Sequence, residues 1–180
     1  MKENNKYIMF HGSISEIASF TEEKIGKGGD PNSAMGIHAT EIPSVAFEYA
    51  SLQATLIRDQ PILYVLEINF EKEDFIHSSE DFYGCYDEDT NHHDYFKEIR
   101  NEYLENEIDI VHFEGGEEPS SVIISPENIS IIKSIKGKNN IQDFVKAFEE
   151  NFISYDDYES RKKIVDNFKI NDKKRGLKPK

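Results

Sequence analysis

Three short stretches of this chain carry side chains suited to gripping and cleaving a small polar molecule. In the first, an apolar run ends in His11, Gly12 and Ser13. An imidazole that donates or accepts a hydrogen bond there adjoins a glycine, whose missing Cβ lets a ligand approach the backbone. In the second, Gly36, Ile37, His38, Ala39 and Thr40 lead into a segment carrying Tyr49, eleven residues beyond His38. In the third, Glu114, Glu117 and Glu118 precede the apolar stretch from Val122 to Ile124. A carboxylate held beside a developing positive charge stabilises it.

Other chemistries fit less well. No aspartate and histidine are arranged to activate Ser13, which reads as a cap rather than a nucleophile. His92 and His93 are adjacent, so a regular helix cannot aim both at one ion, and the single Cys85 provides no cysteine-based zinc site. No metal is expected. Asp87, Glu88 and Asp89 lack the glycine and spacing of a calcium loop and read as a solvated acidic loop, suited to recognising a basic acceptor protein.

The elements that must position these residues follow from local pattern. Tyr7 to Phe10 reads as a strand, and the Ser13 to Glu16 spacing matches a capping box, predicting a short helix directly after Gly12. Lys24 to Ala34 concentrates Gly, Asp, Pro, Asn and Ser and reads as a mobile surface loop. Gly36 to Ala39 forms a second short strand. Pro43 then opens a helix to about Ile57, with Val45, Tyr49, Leu52 and Leu56 on one face. Ile62 to Phe70 is the strongest strand and is expected to be central in its sheet.

Ser78 to Asn91 is acidic and turn-rich, and a helical pattern follows in Tyr95, Phe96, Ile99, Tyr103 and Leu104. Ile108 to Phe113, Val122 to Ile124 and Ile129 to Ile135 supply further strands, which makes the fold class α+β. After Gly137 the pattern turns helical: Ile141, Phe144, Val145, Phe148 and Phe152 form one stripe, and a second helix spans about Asp156 to Phe168. The division expected is a catalytic-type domain over 1–136, accessory C-terminal helices over 137–168, and a basic flexible tail over 169–180.

The chain's 180 residues suit one ordinary domain, and a core with 12 Phe, 9 Tyr and no Trp must lean on aromatic rings. A net charge of -14 opposes general binding to nucleic-acid phosphates. It also means that any pyrophosphate site needs local cations, of which Lys24, Lys27 and Arg58 lie nearest the motifs. With no apolar run of membrane-spanning length and no signal-peptide pattern, the chain reads as soluble and cytoplasmic, with no membrane partner.

Taken together, the three stretches resemble the motifs of the histidine-class ADP-ribosyltransferases, the group of diphtheria-like toxins, poly(ADP-ribose) polymerases and small bacterial and phage relatives. The resemblance covers roughly Tyr7 to Ile135. It implies a split mixed β-sheet with peripheral helices, here carrying a C-terminal helical appendage, and NAD+ as co-substrate. His11 would bond the adenosine-side ribose, the Gly12 backbone would hold the nicotinamide carboxamide, and Ser13, Gly36, His38 and Tyr49 would complete the dinucleotide site. His11, Tyr49 and an acid would form the catalytic set. His38 stands where the family usually places a stacking tyrosine, Ala46 where polymerase-type members place a serine, and Ser120 at the usual acid position. Glu118 is the acid chosen, with Glu117 and Glu114 as substitutes.

The activity implied is mono-ADP-ribosylation of an unidentified acceptor protein, in a toxin, effector or anti-defence role. Breaking the nicotinamide–ribose bond creates oxocarbenium-like charge that a carboxylate supports. Nicotinamide leaves neutral, so neither a strong acid nor a metal is needed. The alternatives are a catalytically degenerate acidic protein that blocks a partner, and an NAD+ glycohydrolase.

Overall fold

The computed structural model describes residues 4–27, 31–71, 75–78, 92–113, 120–151 and 157–170. Along them run β1 (Asn4–Ser13), β2 (Ile37–Ala39), α1 (Pro43–Ile57), β3 (Ile62–Glu71), β4 (Phe75–Ser78), α2 (His92–Glu105), β5 (Ile110–Phe113), β6 (Ser120–Ile123), β7 (Ile129–Lys136), α3 (Lys138–Glu150) and α4 (Tyr158–Asn167). The architecture is mixed α+β, with two mostly antiparallel sheets of order β1-β3-β7 and β2-β6-β5-β4. An isolated antiparallel bridge from Phe10 to Thr40 joins the edge strands β1 and β2. Its two backbone bonds measure 2.7 and 3.0 Å.

β3 is the middle strand of its sheet, as its composition predicts. Ile62 through Leu66 are all buried, because both faces are covered; a strand so placed reads as a continuous apolar run. On one face, Met9, Ile62, Tyr64 and Leu66 meet Ile37, Ala39, Ile110 and Ile123 of the other sheet, together with Phe20. On the opposite face, Ile8, Phe10, Leu63, Val65 and Ile135 share a core with Ile141, Phe144 and Phe148 of α3 and Val165 of α4. A third cluster packs Phe96 of α2 on Val111, Phe113 and Val122.

The C-terminal helices are thus built into the first sheet. Arg161 of α4 is 2% exposed, donates to the carbonyls of Ile8 and Glu41 at 2.8 Å each, and lies over the Phe10 and Phe148 rings. Tyr158 donates to the Glu67 carboxylate on β3. That bond holds Glu67 below its usual range, while burial first and the carboxylate second push the Tyr158 phenol up to about 12.

Three expectations need correction. No helix follows Gly12: β1 runs through Ser13, and Ser13 Oγ accepts the amide of Ser15, not of Glu16, at 3.1 Å. The segment is held open because the Tyr64 hydroxyl donates to Ser15 O at 3.0 Å and accepts the Ile17 amide at 2.7 Å, drawing Ile17 and Phe20 into the core. The stretch from Lys24 to Ala34 is not wholly a surface loop either. It begins at the last residue of a 3-10 turn, Glu22–Lys24, and its described parts include a second, Pro31–Ala34, in which Asn32 and Ala34 are buried and Ser33 O accepts the Gly26 amide.

The third correction concerns α1, whose span matches expectation to the residue. Its inward face is Val45, Ala46, Ala50 and Ala54, whereas Tyr49, Leu52 and Leu56 face solvent. β4 went unforeseen, its short Phe75–Ile76 pair being hidden between charged segments. Among the described residues, no helix is long and apolar enough to cross a membrane.

Candidate functional site

The first two motifs meet where the sheets join. Antiparallel pairing of Phe10 with Thr40 sets His11 beside Ala39, and His11 Nδ1 donates to the His38 carbonyl at 2.7 Å. A carbonyl only accepts, so this bond fixes the proton on Nδ1 and leaves Nε2 as an acceptor. The half-buried ring packs edge-on to Phe20 and tilted to Tyr64. Burial lowers its pKa; the bond to the His38 carbonyl works in the opposite direction and is the smaller effect. The ring is therefore neutral at pH 7 and suited to accept a hydrogen bond from a sugar hydroxyl.

Gly12 is demanded by packing. A Cβ there would stand 1.9 Å from Ala46 O and 3.1 Å from Ala50 N, so β1 and α1 touch backbone to backbone. Tyr49, 49% exposed, belongs to that same turn of α1 and so sits beside the end of β1. The His11 ring leaves β1 on the opposite side from the Gly12 contact, since neighbouring strand residues alternate. Gly36 has an equivalent role, because a Cβ would lie 2.4 Å from Ile123 O on β6. His38 turns away from the inter-sheet core and donates from Nε2 to Asn32 O at 3.1 Å. Ser13 caps the turn described above, and Thr40 Oγ1 accepts the Ile42 amide at 3.2 Å, guiding the chain into α1.

The acid candidates Glu118, Glu117 and Glu114 lie outside the described residues, as do Cys85 and the acidic run Asp87 to Asp89. The strand that follows them is described. Ser121 alternates with Ser120, shares its face with the core residue Ile123, and so shares the inter-sheet side with His11. Ser120 shares its face with Val122, which packs toward α2. The position expected for the acid therefore points away from His11.

Sequence reasoning missed a polar row on the His11 side. Ser121 pairs with Ala39 and with His112, and His112 pairs with His77. The fully buried Ser121 hydroxyl bonds His112 Nδ1 at 2.9 Å, and the His77 and His112 rings lie 5.4 Å apart. A histidine on the Ile110 face of an apolar strand is the signal that pointed to it. Among the described residues no group of three or more His, Cys, Asp or Glu is placed to hold a metal ion; His93 instead donates to Gly26 O at 3.2 Å. Comparison of the chain with protein-family models, curated proteins and solved structures gave no match.

Proposed function

We propose that this chain is an NAD+-dependent mono-ADP-ribosyltransferase acting on a protein side chain. The observation that carries the reading is the junction of the first two motifs, where His11 Nδ1 donates to the His38 carbonyl at 2.7 Å across the bridge between the sheets. Two sheets joined at one bridge also agree with the split-sheet architecture that the resemblance implies. In this reading His11 Nε2 accepts a hydroxyl of the adenosine-side ribose, the Gly12 backbone holds the carboxamide, and Ser13 and Gly36 border the dinucleotide, whereas the His38 ring, bonded to Asn32 O, and Tyr49 on α1 turn away from the His11 side and add no side chain to it. Glu118 supports the cationic ribose. The bond from ribose to nicotinamide breaks with its electron pair leaving on neutral nicotinamide; the acceptor nucleophile bonds the ribose carbon and gives its proton to solvent. No metal takes part. A toxin, effector or anti-defence role fits such an activity.

Nicotinamide release from NAD+ tests the reading. His11→Ala and Glu118→Gln are each expected to slow it by about 10²-fold or more. Parity of Glu118→Gln with the unaltered chain removes that acid from the mechanism. Mass spectrometry of the products distinguishes transfer to protein from hydrolysis to free ADP-ribose, the glycohydrolase outcome.

A second reading is a noncatalytic protein on the same scaffold that occupies a partner's basic site. It is favoured by β6, whose four described residues, Ser120 to Ile123, include no carboxylate. Calorimetry separates the two: NAD+ binding lost in His11→Ala supports the transferase site, and salt-sensitive partner binding indifferent to that change supports the binder.

A further inference from the structure

His11 is covered in part by a segment that no ladder holds. Packed on its ring are the His38 carbonyl at 2.7 Å, the tilted Tyr64 ring and the Phe20 ring, edge-on with centroids 5.3 Å apart. His38 and Tyr64 stand on β2 and β3, which backbone pairing fixes in their sheets. Phe20 stands on residues 14–25, whose regular structure is the 3-10 turn Glu22–Lys24. Among the described residues, no backbone-to-backbone hydrogen bond holds residues 14–20.

Side chains fasten this segment instead. Ile17, Phe20 and Ile25 turn into the inter-sheet core, while Ser15, Glu16, Ala18, Ser19 and Glu22 are exposed. The Tyr64 hydroxyl bonds Ser15 O and Ile17 N. Glu16 pairs with Lys136 of β7, and Glu22 pairs with Arg100 of α2. Lys136 belongs to the first sheet, whereas α2 packs on the second. The segment therefore crosses the seam between the sheets, clipped on either side, with Phe20 between the clips and against His11. Ion pairs with exposed carboxylates and an unladdered backbone mark a unit that opens more readily than the sheets beneath it. Lifting it uncovers Phe20 and parts of Ile17 and Ile25, whereas opening β3 uncovers the whole buried run from Ile62 to Leu66. Arg100 favours the seated state. It is buried, and among the described residues its other bond is to the Ile124 carbonyl at 2.9 Å, so withdrawal of Glu22 leaves a buried charge without its carboxylate.

We propose that residues 14–25 form a strap that seats Phe20 against His11 and lifts as a local unit to admit a ligand, with the Glu16–Lys136 and Glu22–Arg100 pairs as its clips. A molecule that donates a hydroxyl to His11 Nε2 enters while the strap is lifted and is shielded from water once it reseats. The device serves any such ligand. Its failure therefore leaves the NAD+ reading standing, and failure of that reading leaves the strap standing.

Two measurements on the full chain at pH 7 test this, with thermal melts confirming that each variant folds. In native-state hydrogen exchange, the Ile17 amide should exchange about 100-fold or more faster than the β3 amides, at a rate insensitive to low denaturant. The second is carbethoxylation by diethyl pyrocarbonate, read at His11 by peptide mass spectrometry. The neutral ring should react about 10-fold or more slowly than N-acetylhistidine, because the strap covers it. The double variant Glu16→Gln/Glu22→Gln should raise both the Ile17 exchange rate and His11 modification by about 5-fold, with the β3 amides unchanged. Three results overturn the proposal: Ile17 exchanging only together with β3, which means that the segment opens by global unfolding; His11 reacting as fast as N-acetylhistidine, which means that it is not covered; or a double variant with both rates unaltered, which means that the ion pairs hold nothing shut.

Discussion

Replacing Gly12 with alanine adds a single methyl group, yet it should be among the most damaging small changes available to this protein. The new Cβ would lie 1.9 Å from Ala46 O, 2.9 Å from Ala46 C and 3.1 Å from Ala50 N. All three atoms are backbone, so no rotamer change relieves the contact, and α1 must retreat by about 1.5 Å to restore van der Waals distance. That retreat also loosens Ala46 from the core it shares with Phe10 and Phe144. Overpacking against a rigid neighbour costs about 3 kcal/mol, near the upper end of its usual range. Alanine's lower unfolded-state entropy offsets only about 0.4–1 kcal/mol. The clash therefore wins, and a net loss of about 2 kcal/mol in a chain of this size lowers Tm by about 4–8 °C. Thermal melts followed by circular dichroism, with the exposed Gln53→Ala as control, measure it. A Gly12→Ala protein melting within about 1 °C of the unaltered chain would mean that β1 and α1 do not touch through their backbones.

Three further outcomes follow from the same geometry. Tyr64→Phe removes the hydroxyl that bonds Ser15 O and Ile17 N; it should cost about 1–3 kcal/mol and speed amide exchange at Ile17, and unchanged protection there would show that the hydroxyl does not hold this segment. Arg161→Met keeps apolar volume against Phe10 and Phe148 but leaves the Ile8 and Glu41 carbonyls without their donor; urea unfolding should show a loss of about 2–4 kcal/mol, and a neutral result would mean α4 docks by apolar contact alone. Burial holds the His11 pKa below its ordinary 6.5, so between the folded value and 6.5 the unfolded chain binds the proton more readily. The stability from this group is complete above pH 6.5 and lost as pH falls through the folded value. His11→Gln should therefore show a shallower decline in Tm from pH 7 downward, and parallel declines would refute the shift.

Element type was legible wherever it depends on near neighbours. Pro43 at the first helical position, the β-rich run from Ile62, and the stripe of Ile141, Phe144 and Phe148 each specify a helix or strand through local geometry, and the observed spans follow them closely. The capping box at Ser13 misled because the same hydroxyl also accepts an amide two residues on, and Tyr64, 49 positions beyond Ser15, tips the balance toward the open form. No local signal contains that bond. In the candidate site, His11, Gly12 and Gly36 stood out by type, whereas Ser121, His112 and His77 did not, because their alignment exists only through strand register.

Which residues are chemically able to act, and which segments are strand or helix, the sequence determined alone, since both rest on side-chain chemistry and short-range periodicity. Tertiary structure decided which face of each element turns inward. The stripe on α1 shows the difference: periodicity identifies Val45, Tyr49, Leu52 and Leu56 as one apolar face, but only Val45 of these is buried, and the close approach of Gly12 to the helix backbone turns Ala46, Ala50 and Ala54 inward. A contact between residues far apart in the chain thus overruled the hydrophobic preference of the helix, and no pattern within the helix itself records that.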